Sequence, residues 1–253
     1  MGRLFAAALV ALGISASVST AQATTVGIDF GCGVPGLSGA DCVSGDAPLQ
    51  SGYVGWAGQY TDRGIIYNQT RSFSSDFGAG GTFSLNIISD DLYFRDYSAL
   101  TGTYAGQSDL LSDNILRNQP GSIVFTFSGL TVGTYSMESF HHDTGSDGST
   151  VPFDIFVTDW LGTRTVASGL DTSNGTSPSA ITTALYAFTV GETGTASITF
   201  NTTAASPANH MSINGFQLTG TAVVPLPAGV WLLLSALGGL GFAGWRRKRV
   251  ETA

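Results

Sequence analysis

The sequence predicts an all-β fold, a β-sandwich or jelly roll, and three observations predict it. Apolar and polar residues alternate with period two in many short runs, which places one set of side chains on a buried face and the other in solvent. Gly, Asn, Asp and Ser separate these runs, and they are the residues that turns select. No long stretch before residue 228 carries helical periodicity. Roughly nine or more short strands in one chain fit two packed sheets.

The elements follow in order. Thr24–Phe30 is the opening strand. Phe83, Leu85 and Ile87 alternate with Ser84 and Asn86, and Leu92–Phe94 is a shorter strand. Ser108–Arg117 has room for a turn or two of helix. Ile123, Phe125 and Phe127 alternate along a strand that Gly129 ends, and Tyr135 and Met137 resume the pattern after Gly133. Phe153, Ile155 and Val157 alternate with Asp154 and Thr158. Leu185–Val190, Ala196–Phe200 and Ile213–Leu218 complete the series.

Both ends of the 253-residue chain differ from this pattern. Met1–Arg3 is basic, Leu4–Val18 is apolar, and Ala21-Gln22-Ala23 supplies small residues where a signal peptidase cuts. Residues 1–23 therefore read as a secretory signal, and the mature chain is expected to begin near Thr24. At the other end, Val224-Pro225-Leu226-Pro227-Ala228 precedes Ala228–Trp245, an uncharged 18-residue run. As a helix it is about 27 Å long, enough for the hydrocarbon core of a bilayer. Arg246, Arg247, Lys248 and Arg249 follow at once. Four adjacent cations oppose translocation, so this tail is expected to stay in the cytoplasm with the preceding domain outside. The organisation is thus a signal peptide (1–23), an exported β-sandwich domain (24–222) and a C-terminal segment (223–253) with a single transmembrane helix at about 228–245 and a basic tail at 246–249.

Composition restricts the domain between them. Charged residues are 11% of the chain, against about 25% in typical globular proteins, so disorder driven by charge is excluded. Within 24–222, five arginines face seventeen acidic residues, a net charge of −12. Such a surface repels a phosphate backbone and argues against a nucleic-acid partner. Cys32 and Cys42 are the two cysteines. In an oxidising compartment they are expected to form a disulfide closing a small loop, with two free thiols as the alternative.

The C-terminal pentapeptide, apolar run and basic cluster resemble the PEP-CTERM class of bacterial sorting signals in its VPLPA-CTERM variant, over about a tenth of the chain. Leu226 stands where the commonest form has Glu. The resemblance implies an exported protein of a Gram-negative bacterium, held in the inner membrane and then processed by an exosortase for the cell surface or the extracellular space. It also implies a link to exopolysaccharide production and biofilm. Separately, Gly27-Ile28-Asp29-Phe30-Gly31, Gly133-Thr134-Tyr135 and Ile213-Asn214-Gly215-Phe216-Gln217-Leu218 resemble strands of galactose-binding-like jelly rolls. That resemblance implies carbohydrate binding through edge loops and a structural calcium.

The densest polar cluster is His141-His142-Asp143-Thr144-Gly145-Ser146-Asp147-Gly148. It is expected at a strand end or hairpin loop, where its Asp and Gly residues make a turn. His141, Asp143 and Asp147 are the candidate metal ligands, with calcium suited to the two carboxylates and backbone carbonyls. Zinc would need a further ligand such as His210. On an extended strand His141 and His142 face opposite ways, which makes them poor ligands for one ion. His142 is instead a candidate for ligand binding. Asp143-Thr144-Gly145-Ser146 matches the aspartic-protease tetrad, but the second carboxylate that chemistry requires has no counterpart. No Gly-x-Ser-x-Gly elbow, phosphate-binding loop or His-Glu-x-x-His helix is present. Glu138 and Glu192 are the only glutamates of the domain, and both read as solvated.

Aromatic residues in Gly- and Asp-rich surroundings are candidate carbohydrate platforms: Tyr53, Trp56, Tyr60, Tyr67, Tyr97, Tyr104 and Trp160. Trp160, directly after Asp159, is the best single candidate. The expectation is a non-enzymatic surface or matrix protein that binds extracellular polysaccharide. A secreted glycan-active enzyme and a purely structural adhesin are the alternatives.

Overall fold

The computed structural model describes residues 23–31, 50–57, 66–96, 100–117, 119–145, 150–202, 210–221 and 235. In chain order the strands are β1 (Ala23–Gly31), β2 (Tyr53–Ala57), β3 (Tyr67–Ser74), β4 (Thr82–Ser89), β5 (Tyr93–Asp96), β6 (Asp113–Arg117), β7 (Gly121–Ser128) and β8 (Gly133–Asp143). They continue as β9 (Phe153–Asp159), β10 (Gly162–Leu170), β11 (Ser173–Asn174), β12 (Thr182–Val190), β13 (Ala196–Thr202), β14 (Met211–Ile213) and β15 (Gly215–Thr221). The one-turn helix α1 (Ser108–Ser112) follows a 3-10 segment at Gly102–Gln107.

Alternation gives β4, β7, β9, β12 and β13 one apolar face each, and the strands bury it by forming two sheets. The first runs β11-β8-β15-β1-β2, with β12 also paired to β8. The second runs β10-β9-β13-β7-β4-β3. A small third sheet, β14-β6-β5, completes the set. Pairing is antiparallel except for β1 with β2 and β11 with β8. Residues 22–223 make one compact unit, and the arrangement is a β-sandwich, as expected.

Aromatic rings join the two large sheets. Phe30 and Phe216 of the first sheet meet Phe125 of the second at centroid distances of 5.5 and 5.8 Å. Phe127 packs on Phe188 and Phe216, both at 5.8 Å. Each fully buried ring stabilises the fold by about 1.5–3 kcal/mol relative to exposure. A second, smaller apolar cluster of Leu100, Leu110, Leu111 and Phe140 lies beneath α1 and its 3-10 segment.

Several expectations need correction. Trp56 and Tyr67 are core residues, not rim platforms; both are buried. The Trp56 indole N–H donates to the Tyr67 hydroxyl at 3.0 Å, which satisfies both polar atoms inside the core. His141, His142 and Asp143 continue β8 and are fully buried, so they do not form a surface turn. The stretch Ser108–Arg117 divides into α1 and the strand β6.

No helix among the described residues is long and apolar enough to cross a membrane. The signal segment before Ala23 lies outside the described residues, as does the C-terminal segment apart from Ser235. Cys32, Cys42, Tyr60, Tyr97 and Asp147 also lie outside them.

Candidate carbohydrate-binding site

The turn joining β9 to β10 has two central residues, Trp160 and Leu161, because Asp159 pairs directly with Gly162. Both side chains are exposed, at 64% for Trp160 and 71% for Leu161. Gly162 has φ of 102°, a backbone shape that favours glycine. The Asp159 carboxylate sets the turn. It accepts both arms of the Arg164 guanidinium, at 2.9 and 3.0 Å, and the N–H groups of Leu161 and Thr189 at 2.9 and 2.7 Å. Burial pushes this carboxyl up, but the guanidinium and the two amides outweigh burial and hold it below the usual carboxylate range. The Trp160 N–H donates to the Thr189 carbonyl at 3.1 Å. An exposed indole is thus mounted on a rigid base.

Gly191 supports the ring from below. A Cβ at that position would stand 2.3 Å from the Trp160 ring, so the indole occupies the space that any larger residue would take. Beside it is an open depression of about 420 Å³ lined by Thr126, Thr158, Asp159, Trp160, Thr193, Thr195, Ala196 and Ser197. Thr126, Ser197 and Thr158 are aligned across three strands, β7, β13 and β9. The hydroxyls of Thr126 and Ser197 lie 3.1 Å apart, and those of Thr193 and Thr195 lie 3.0 Å apart. Asp159 is the lining carboxylate, and its oxygens are taken up by the four contacts above. The depression offers one aromatic face and several hydroxyls that donate and accept hydrogen bonds.

The histidine cluster is organised differently. His141 Nδ1 lies 2.9 Å from the Ser212 carbonyl and Nε2 lies 2.8 Å from the Ser139 hydroxyl. Since a carbonyl only accepts, Nδ1 carries the proton and Nε2 accepts from Ser139. The ring packs on Phe153 and Phe200. Burial pushes its pKa down to about 4, against the opposing bond to Ser212. His142 faces the other way, as alternation requires; Nε2 donates to the Gly175 carbonyl at 3.0 Å, and Nδ1 lies 3.0 Å from the Ser173 hydroxyl. Asp143 meets neither histidine ring. It pairs with His210 and accepts the Gly145 N–H at 3.0 Å. Among the described residues no three His, Cys, Asp or Glu side chains are grouped to hold a metal ion.

Two further placements stand out. Tyr53 is half-buried, its ring lying over Gly27, where a Cβ would stand 2.7 Å from it; its hydroxyl accepts from the Gln217 amide at 2.7 Å. Asn214 reads in the sequence only as part of a closing strand, yet its buried amide ties three elements. It donates to the Leu111 and Asp113 carbonyls at 3.0 and 2.7 Å and accepts from the His142 N–H at 2.6 Å.

No protein-family model matches the chain, and no curated protein matches it. Solved structures do. A family 35 carbohydrate-binding module from Clostridium thermocellum is 14% identical with a TM-score of 0.34, covering 59% of this chain and 97% of that one. The CBM22-1 xylan-binding domain from Paenibacillus barcinonensis Xyn10C is 9% identical with a TM-score of 0.35, covering 65% and 99%. The plant receptor-like kinase FER is 11% identical with a TM-score of 0.40, covering 77% of this chain and 41% of that one.

Proposed function

We propose that the exported domain is a non-enzymatic carbohydrate-binding module that docks a sugar chain against Trp160. The observation that carries the reading is the 64% exposed indole standing beside a hydroxyl-lined depression. Sugar rings present C–H faces that pack on an aromatic surface, and their hydroxyls exchange hydrogen bonds with Ser and Thr. The one lining carboxylate is held by Arg164 and by backbone amides, so it has no proton to offer a glycosidic oxygen. Glycoside hydrolysis uses a pair of carboxyl groups placed for acid and base roles; among the described residues Asp159 is the carboxylate that lines the depression, which supports binding without turnover. The domain's net charge of −12 favours neutral glycans over acidic ones.

The reading includes delivery. Residues 1–23 direct export, Val224–Ala228 and the segment behind it hold the protein in the inner membrane, and an exosortase releases the domain to the surface or matrix. The domain then contacts extracellular polysaccharide. An array of neutral glycans probed with the purified full chain tests the binding part. Retention without release of shorter sugars supports it, and product release or no retention on any glycan overturns it. Deleting Arg246–Arg249 tests the anchoring part: the protein should leave the inner-membrane fraction, and unchanged fractionation refutes the topology.

A further inference from the structure

The hydroxyl-lined depression beside Trp160 continues across the sheet. Thr126, its lining residue on β7, pairs with Asn86 of β4, which pairs with Thr70 of β3. Two positions along each strand, Ser128, Ser84 and Ser72 form a second row in the same register. Leu85 and Ile87 of β4 and Phe125 and Phe127 of β7 enter the main core, so both rows lie on the outer face of the sheet. None of the six residues is buried. The Ser72 and Ser84 hydroxyls lie 2.9 Å apart, and the Asn86 amide donates to the Thr70 hydroxyl at 2.9 Å. Ile88, 38% exposed, and its partner Val124 form an apolar margin on the far side of the Asn86 row. From β9, which Trp160 directly follows, to β3 is four strand spacings, about 19 Å.

This face is also empty of charge. The domain has five arginines and seventeen acidic residues, yet among the described residues the outer faces of β3, β4, β7 and β13 carry none of them. Arg71 of β3 turns the other way, over the Trp56 ring at 5.1 Å. Soluble surfaces ordinarily hold about 25–35% charged residues, and edge strands such as β3 use charge to discourage stray pairing. A charged partner, whether protein or acidic glycan, finds no counter-charge here. A hydroxyl both donates and accepts, so two rows of them match sugar hydroxyls of either orientation, and the apolar margin takes the C–H edges of the rings. Building on the Trp160 reading, we propose that this face extends the site. A neutral, unbranched polysaccharide crosses the strands from Trp160 toward β3, and the domain binds the interior of the chain over several rings rather than a chain end.

The test titrates the purified full chain with cello-, xylo- and manno-oligosaccharides of two, four and six rings by calorimetry. At least one series should bind, with affinity rising at least tenfold from two rings to six. Ser84→Glu places a charge in the path and leaves the Trp160 depression intact. It should bring the six-ring affinity down to the two-ring value and leave two-ring binding unchanged. If Ser84→Glu fails to fold, Thr70→Glu, at the exposed edge, decides the question with at least a threefold loss for six rings alone. Trp160→Ala should weaken every length. Equal affinity for two and six rings, or an undiminished six-ring affinity in the glutamate variants, would overturn the path and leave the Trp160 reading standing. Failure of all three series to bind would also overturn the path, and the glycan array then judges the Trp160 reading by itself. Sedimentation showing a wild-type dimer that Ser84→Glu splits would assign the face to a second copy of the chain and overturn the proposal.

Discussion

His210 Nε2 meets the carboxylate of Asp143, sixty-seven residues earlier in the chain, and both side chains are buried. The contact joins the end of β8 to the residue just before β14. A His210→Ala substitution leaves Asp143 Oδ2 buried with no partner. Removing one member of such a pair costs about 3–5 kcal/mol, because the other is left without compensation. Urea denaturation should show that loss as a lower midpoint with an unchanged slope.

Asn214 fills three hydrogen-bonding positions at once and is fully buried. Asn214→Ala removes the amide donor from the Leu111 and Asp113 carbonyls, of which Leu111 keeps only the Thr144 hydroxyl at 3.2 Å, and removes the acceptor of the His142 N–H. The expected cost is about 3 kcal/mol. Asn214→Asp should cost at least as much, since a carboxylate cannot donate to the two carbonyls. Thermal unfolding of both variants checks the order.

Stability should depend on pH through two buried groups with opposite signs. His141 has its pKa lowered to about 4 from 6.5. The unfolded chain binds the proton more readily, so this contribution is present above pH 6.5 and is lost as pH falls toward 4. Asp29 has its pKa raised to about 7 from 3.8. Its contribution is present below pH 3.8 and is lost as pH rises toward 7. The Asp109 charge adds to the upward push on Asp29, while Phe153, Phe200, Ser139 and Ser212 surround His141. His141→Gln should leave stability falling with pH between 4 and 6.5. Asp29→Asn should leave it rising. Denaturation midpoints at half-unit intervals measure both slopes.

Gly191→Ala should disturb the indole without disturbing the core. The added methyl would stand 2.3 Å from the Trp160 ring, and the exposed ring is free to tip away. Tm should move little, since exposed side chains contribute within about 0.5 kcal/mol, while glycan affinity should fall at least fivefold. Tryptophan fluorescence should shift in the same variant.

Much of the sandwich was legible in the sequence, because β4, β7, β9 and β13 each keep strict alternation along the buried face. β6 was hidden because all of its residues are buried, which erases the period. β10 was hidden for the opposite reason: it is an edge strand with two register shifts, so its exposed and half-buried residues follow no period. Trp160 was legible as an exposed turn residue from its neighbourhood after Asp159. Trp56 shared that kind of neighbourhood but is in the core, since its partner Tyr67 comes from another strand. The role of Asn214 and the His210–Asp143 pair depend on pairing across long sequence separations, which local pattern does not encode.

Affinity electrophoresis of the full chain through gels containing neutral polysaccharides, wild type beside Trp160→Ala, tests the central claim most directly. Trp160 is 64% exposed, so the variant should unfold close to the wild-type temperature. The account predicts that at least one polysaccharide retards the wild-type protein and that Trp160→Ala weakens this binding at least tenfold. Equal retardation of the two proteins, or free migration of both in every gel, would contradict it.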